Sequence, residues 1–439
     1  KIYVRRYKDH SIEVEDFGRG LPLDYNQKEG RYNWELVYCE LYAGGKYKTN
    51  LGENYEYSLG LNGLGACATQ YASKWFDVAV TRDGFKYELH FEKGVNIGGL
   101  KKTPIDSKKT GTIQRWIPDD EVFTDIVIPA EYFRTTLKQQ AVVNKGVTFE
   151  FIDEKDGTKE EYCYPEGILG MVREMNVEGL TQPVLFSGEG VGRDRNDRED
   201  YTTKCDVAFA FNNHQAEIYY YHNSSWLEYG GSPDRAVRSA FVSAFDSFLK
   251  EEGKYRANEA KITFGDIEES LLLMSSSFST VTSYENQTKR SINNRFIQRF
   301  LTDLIRENLT VWFIERREDA LRAADQVLLN RRSREKAEKT RLTVKRDLMQ
   351  EIDMSNRVRL FVDCRSQDIN ERELYIVEGN SALGSVKMAR NADFQAVIPV
   401  RGKILNCLKA DYNAIFKNEI ITDLIKILGC GVELPKKFS

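Results

Sequence analysis

Over roughly the first 180 residues, apolar and polar positions alternate in short runs broken by turn residues, which is the period of half-buried strands. Ile12 to Glu15 alternates in this way and stops at Asp16. Trp75 to Thr81 and Phe85 to Phe91 flank Asp83-Gly84, and Val147 to Phe151 is followed across Asp156-Gly157 by Glu161 to Cys163, so two hairpins are predicted. Ala66 to Ser73 and Gly167 to Met175 read as helices between them. Further on, Pro183 to Phe186 precedes a polar stretch rich in Gly, Asp and Arg, and a long loop is predicted over Gly188 to Tyr201. Cys205 to Phe211 and Ala216 to Tyr221 read as strands paired around Asn212-Asn213. Ser232-Pro233 supplies a cap and first position for a helix. Its Ala236, Val237, Ala240, Phe241, Ala244, Phe245 and Phe248 recur at helical spacing and predict a buried face. Ser270 to Ser277 reads as a strand, Phe296 through Leu348 as strongly helical, and Glu373 to Val377 and Gln395 to Pro399 as short buried strands. Helices on one face of a mixed sheet are the economical packing for the first block.

Two glycine-bearing segments change this picture from architecture to chemistry. Asp16-Phe17-Gly18-Arg19-Gly20 places a carboxylate at a strand end, where it can accept a hydrogen bond from an adenine amino group. Gly60-Leu61-Asn62-Gly63-Leu64-Gly65 lies just before a helix, so its backbone N–H groups and the helix N-terminus favour an anion. Later, Glu378 ends an apolar strand beside Gly379, the position where open α/β sheets build their sites.

Taken in order, these segments, with Tyr42 to Tyr47, Thr110 to Trp116, Gln287-Thr288-Lys289 and Glu378-Gly379-Asn380-Ser381-Ala382, resemble the B subunit of bacterial type II DNA topoisomerases, gyrase or topoisomerase IV. The resemblance covers essentially the whole chain. It implies an α+β and α/β multidomain protein: a GHKL ATPase α/β sandwich over 1–182, a transducer domain of ribosomal-S5-like fold with a long C-terminal helix over 183–350, and a TOPRIM α/β domain over 351–439. It also implies ATP and Mg2+ as cofactors. Asp16, Gly18 and Thr112 would meet the nucleotide, Arg19, Pro22 and Arg82 its rim, and Tyr55 would contact it from the lid. Lys46, Gly60, Leu61, Asn62, Gly63, Leu64 and Gly65 would surround the phosphates, and Gln287 and Lys289 would reach the terminal one. Glu378 would assist DNA cleavage and bind metal, with Asn380, Ser381, Arg401 and Lys403 against DNA. The implied partners are double-stranded DNA and an A subunit in an A2B2 assembly, in the cytoplasm. The family's water-activating Glu and magnesium-holding Asn belong upstream of Lys1, and an acidic motif completing the metal site belongs downstream of Ser439, so a fragment of low activity is expected. Asn380 stands where the family has Asp, and Asn62 where bacterial relatives have His; Leu59 and Leu383 replace glycines. A nucleotide- or DNA-binding paralogue that does not cleave is the alternative, ahead of a GHKL chaperone or mismatch-repair ATPase.

Charge and composition refine this in two places. A net charge of −4 excludes a globally basic nucleic-acid binder, so any DNA contact must be local. Arg331, Arg332, Arg334, Lys336, Lys339, Arg341, Lys345 and Arg346 form such a run, with Glu335 and Glu338 placed to pair with Lys339 and Arg341. Seven scattered cysteines without close pairs are expected to be reduced thiols, four histidines lack metal-ligand spacing, and no apolar run approaches the ~20 residues that span a bilayer.

Overall fold

The computed structural model describes residues 1–43, 64–286, 288–351, 358–402, 405–407, 409–410, 414–415 and 417–428, with side chains of the long helix described through 343. Its chain divides into two compact units, Lys1–Arg331 and Arg332–Ser439.

Within the first unit, β1 (Ile2–Arg6), β2 (Ile12–Asp16), the short pair β3 (Tyr25–Asn26) and β4 (Arg31–Tyr32), α1 (Asn33–Tyr38) and α2 (Gly65–Tyr71) come first. They are followed by β5 (Ser73–Arg82), β6 (Phe85–Glu92), β7 (Val95–Asn96), β8 (Lys101–Pro104), β9 (Gly111–Pro118), α3 (Ala130–Val143), β10 (Phe149–Asp153), β11 (Thr158–Tyr162) and α4 (Ile168–Met175). Both predicted hairpins form, β5 with β6 and β10 with β11. The mixed sheet runs β11-β10-β1-β2-β9-β5-β6-β7, with β8 paired to β6. β1 lies parallel to β10, so strands nearly 150 residues apart are neighbours, and the buried pair of Arg6 with Asp153 (|i−j| 147) fastens them. Opposite charge keeps the Asp153 carboxyl below its ordinary range against the pull of burial. Leu23, Val37, Tyr38, Phe76, Val78, Val80, Leu89 and Phe91 form one core under α1, and Val4, Phe149 and Phe151 form another with Leu137 and Ala141 of α3.

β12 (Val184–Gly192), β13 (Tyr201–Phe211), β14 (Glu217–His222), β15 (Ser225–Trp226), α5 (Ser232–Glu251), α6 (Phe264–Glu268), β16 (Leu271–Ser279), α7 (Arg295–Glu315) and α8 (Arg317–Glu351) complete this part of the chain. Their sheet has the order β12-β13-β16-β14-β15. One face packs on Val142, Val143, Ile168 and Val172 of α3 and α4. The other carries Phe209 and Phe211 onto Phe241, Phe245, Trp312 and Phe313, as the stripe on α5 predicts.

Four expectations are corrected here. Gly188 to Gly192 is strand, not loop: β12 continues to Gly192, paired with Tyr201, because Gly188, Gly190 and Gly192 leave room for Leu304, Phe300 and Phe296 of α7, where any Cβ would collide. Only residues 193–200 remain as a connection. Cys205 to Phe211 and Ala216 to Tyr221 do not pair with each other; β16 enters between β13 and β14, antiparallel to one and parallel to the other. The helix cap is Gly231 rather than Ser232. The long helix is two helices, which break at Arg316 (φ −117, ψ 45) without a proline or glycine to announce it.

The second unit contains β17 (Glu373–Glu378), α9 (Gly379–Ala389), β18 (Gln395–Val400) and α10 (Glu419–Leu428). β17 and β18 are parallel, joined through α9, the right arrangement for a site at their C-terminal ends.

Candidate functional site

Asp16 is the last residue of β2 and stands directly opposite Thr112 of β9, which in turn faces Val80 of β5. Three adjacent strands therefore fix the carboxylate and the hydroxyl side by side. The Asp16 Oδ1 accepts the Gly18 N–H at 2.8 Å, which closes the turn after the strand. Thr112 is buried, and its Oγ1 accepts the Leu21 N–H at 3.2 Å, pulling residues 17–21 across the strand end. The Arg82 guanidinium donates to the Gly20 carbonyl at 3.3 Å and pairs with Asp83 at 2.9 Å. Arg19 is exposed and Pro22 buried.

Close approach explains the glycines. A Cβ at Gly18 would stand 2.9 Å from the Asp16 carboxylate oxygen, and one at Gly111 would fall on the Asp16 backbone carbonyl. Gly111 is thus the point where β9 and the end of β2 come together, a role that its sequence context, Thr110-Gly111-Thr112, does not state by itself.

Leu64 caps α2 and Gly65 is its first residue, with open space around the glycine. Lys46, Tyr55, Gly60, Leu61, Asn62 and Gly63 lie outside the described residues, as does Gln287. Lys289 adopts a left-handed conformation (φ 59) and donates its N–H to the Asn286 carbonyl at 3.2 Å. Its ammonium lies 5.8 Å from the centre of the Tyr284 ring.

In the second unit, Glu378 closes β17 opposite Val400 and caps α9, followed by Gly379 at φ 74. Glu378, Asn380 and Ser381 are exposed in one turn, and Arg401 is exposed directly after β18. No acidic residue occupies the first turn of α9, so Glu378 at its cap is the carboxylate that meets the helix's N-terminal partial positive charge. Lys403 lies outside the described residues. Among the described residues no three His, Cys, Asp or Glu side chains converge as a metal cage.

The basic run on α8 is less uniform than its sequence. Arg331 is buried against the equally buried Glu259 at 3.0 Å and also donates to the Lys261 carbonyl, so it is a core ion pair and not a surface for DNA. The pairs predicted for Glu335 with Lys339 and Glu338 with Arg341 are formed.

A first mixed sheet covered by helices, a second sheet backed by long helices, and a strand-end carboxylate beside a parallel strand define a GHKL, transducer and TOPRIM architecture. Residues 149–343 match the DNA gyrase B family model and residues 373–436 the Toprim domain model. The DNA gyrase B protein of Thermotoga maritima is 30% identical over 439 residues, covering 98% of this chain and 67% of that protein. The B protein of DNA topoisomerase 4 from Bacillus subtilis is 31% identical, covering 98% of this chain and 64% of that protein. The chain belongs to the B-subunit family of type II DNA topoisomerases, which includes the B subunits of DNA gyrase and of topoisomerase IV. It spans about half to two thirds of the length of the curated relatives it matches. The fold likeness extends to the 43K ATPase domain of Thermus thermophilus gyrase B, solved in complex with an aminocoumarin (TM-score 0.59, 24% identity, 78% of this chain and 86% of that one). Among the described residues, no helix is long and apolar enough to cross a membrane.

Proposed function

We propose that this chain is the ATP-operated part of a type II DNA topoisomerase B subunit, which couples ATP binding and hydrolysis to passage of one DNA duplex through another. The observation that carries the reading is the pairing of Asp16 with Thr112 across β2 and β9, at a strand end that Gly111 brings together and Gly18 leaves open beside the carboxylate. Asp16 accepts from the adenine amino group and the Thr112 hydroxyl supports the same edge of the base. A carboxylate opposite a hydroxyl at one strand end offers an acceptor for the amino group and a donor for the neighbouring ring nitrogen, so the residues present fit an adenine nucleotide. Arg19, Pro22 and Arg82 form the rim. Lys46, Tyr55 and residues 60–65 enclose the phosphates, and Gln287 and Lys289 hold the terminal one. Loss of that phosphate on hydrolysis removes the counter-charge of Lys289 and releases its segment, the logic of nucleotide-controlled switches.

Glu378, at the end of β17, works on DNA beside Asn380, Ser381 and Arg401, with Lys403 following. Glu378 would be the one carboxylate of its turn to hold magnesium, because Asn380 is neutral, and the ion would supply charge neutralisation there. The same neutral residue favours a second reading, a paralogue that binds nucleotide and DNA without cleaving. In keeping with the family, the domains are 1–182, 183–350 and 351–439, the partners are double-stranded DNA and an A subunit in an A2B2 assembly, and the setting is the cytoplasm.

The test is made on the complete protein with its A-subunit partner. Asp16→Asn should lose ATP binding, whereas Glu378→Ala should abolish DNA cleavage and spare ATP hydrolysis. Unchanged nucleotide affinity in the first variant or retained cleavage in the second overturns the assignment, and ATP binding without cleavage by the unaltered enzyme establishes the second reading in its place.

A further inference from the structure

The hairpin between β14 and β15 has a two-residue turn, since His222 pairs with Ser225, and both turn residues, Asn223 (φ 45) and Ser224 (φ 63), are left-handed without being glycine. Such backbone costs about 1 kcal/mol or more per residue and persists where surrounding bonds over-determine it. Here they do. The Asn223 N–H donates to the Ser277 carbonyl at 2.8 Å, its Oδ1 accepts the Ser279 N–H at 2.9 Å, and its Nδ2 donates to the Ser279 carbonyl and the Thr282 hydroxyl, each at 3.1 Å. The turn is clamped to the end of β16 and to Thr282, where the segment bearing Lys289 begins.

His222 completes the clamp from within the core. It is fully buried, with Nδ1 at 2.8 Å from the Ser277 Oγ and Nε2 at 2.9 Å from the Thr282 Oγ1. The Ser277 hydroxyl already donates to the Tyr221 carbonyl, so it accepts from Nδ1–H. The imidazole is therefore the neutral Nδ1–H tautomer, and its bare Nε2 accepts the proton of Thr282. Thr282 in turn accepts from Asn223, while the Ser279 hydroxyl donates to the Val281 carbonyl at 2.6 Å. One proton arrangement satisfies this network. On the opposite side of the turn, Ser224 donates to Asn144 Oδ1 at 3.0 Å and its carbonyl accepts from Gln140 at 2.9 Å, Gln140 lying in the last turns of α3 and Asn144 capping that helix. The far end of the segment returns to the same hairpin: Tyr229 N–H donates to the Arg290 carbonyl, and Arg290 pairs with Glu228 at 3.0 Å.

We propose that His222, Asn223 and Ser224 are positioning residues for Lys289: the turn fixes the root of its segment through Thr282 and ties that root to α3, the helix that covers the first sheet. The proposal rests on the reading of Lys289 as the contact to the terminal phosphate. Disturbing the clamp leaves Lys289 present but no longer held where a third phosphate would meet it. The expected signature is a loss of discrimination between tri- and diphosphate, not a general loss of nucleotide binding.

The test measures affinities of the full chain for ADP and for a non-hydrolysable ATP analogue. Thr282→Val, which keeps the side-chain shape, should weaken the analogue about tenfold, the effect of one buried hydrogen bond, with ADP affinity unchanged, while the same lost bond lowers the melting temperature. His222→Asn, which reaches Ser277 but not Thr282, should behave alike, and His222→Gln, long enough to accept from Thr282, should restore discrimination. Full discrimination in Thr282→Val, or equal weakening of both nucleotides, overturns the positioning role. Lys289→Ala is the separate control: loss of discrimination there sustains the sensor reading, and its retention removes that reading and the proposal with it.

Discussion

Replacing Gly18 by alanine separates what the turn after β2 would do for the proposed nucleotide from what it does for stability. The added Cβ would stand 2.9 Å from the Asp16 Oδ1, whereas ordinary contact begins near 3.4 Å, so the carboxylate must retreat by about 0.5 Å. It can do so by rotating its side chain, since Gly18 has an ordinary φ and the obstacle is a side-chain end rather than backbone. The rotation weakens the bond to the residue 18 N–H, a loss of about 1 kcal/mol, and the alanine restricts the unfolded chain, a gain of about 0.4–1 kcal/mol. Folding stability should therefore change by less than about 1 kcal/mol. Nucleotide affinity should fall about tenfold, because a charge-assisted bond to the base depends on that oxygen. Gly111→Ala supplies the contrast: its Cβ meets the Asp16 backbone carbonyl, which no rotamer relieves, so the strands must part at an overpacking cost of about 1–3 kcal/mol together with the affinity loss. Titration calorimetry with ADP and urea unfolding give the two readings. Wild-type affinity in Gly18→Ala would refute the role of the Asp16 carboxylate, and equal destabilisation by both substitutions would refute the distinction between side-chain and backbone obstruction.

Two other substitutions and one titration test the surrounding framework. Arg331→Ala should destabilise the first unit by about 3–5 kcal/mol in urea unfolding, because it removes the guanidinium from a buried carboxylate; a loss of DNA affinity without that destabilisation would return Arg331 to the basic face. Gly190→Ala should cost about 1–3 kcal/mol as its Cβ displaces the Phe300 ring, while Phe300→Ala in the same chain should recover part of that loss. Burial pushes His222 down from 6.5 to about 3, so below pH 6.5 the unfolded chain binds a proton that the folded one does not. Its contribution is complete above pH 6.5 and is lost as pH falls toward 3, about 2 kcal/mol by pH 5, a slope that His222→Asn should remove from unfolding curves taken between pH 7 and 5.

The turn after β2 was legible because its parts are local: Asp16 ends an alternating run, and Gly18 and Gly20 follow it at once. Glu378 was legible for the same reason, since a short apolar strand followed by glycine marks a strand end without tertiary context. What escaped were choices made between distant segments. Nothing in Cys205 to Tyr221 says that β16, some fifty residues on, will take the place of the nearer partner. Gly188, Gly190 and Gly192 look like a loop until the rings of α7 are laid across them. Arg331 differs from Arg334 in sequence by nothing except helical phase, and Glu259 and the Lys261 carbonyl, arriving from another connection, turn it inward.

The late arrival of β16 has a consequence for how the chain must be made. Until Leu271 to Ser279 has left the ribosome, β13 and β14 each present an open edge, and residues such as Val207, Phe209, Phe211, Tyr220 and Tyr221 have no sheet to complete. A nascent or prematurely ended chain is thus exposed to edge-to-edge association over that interval. Closure comes in one step, when a single strand satisfies both edges and brings α7 behind it to cover the exposed aromatic face.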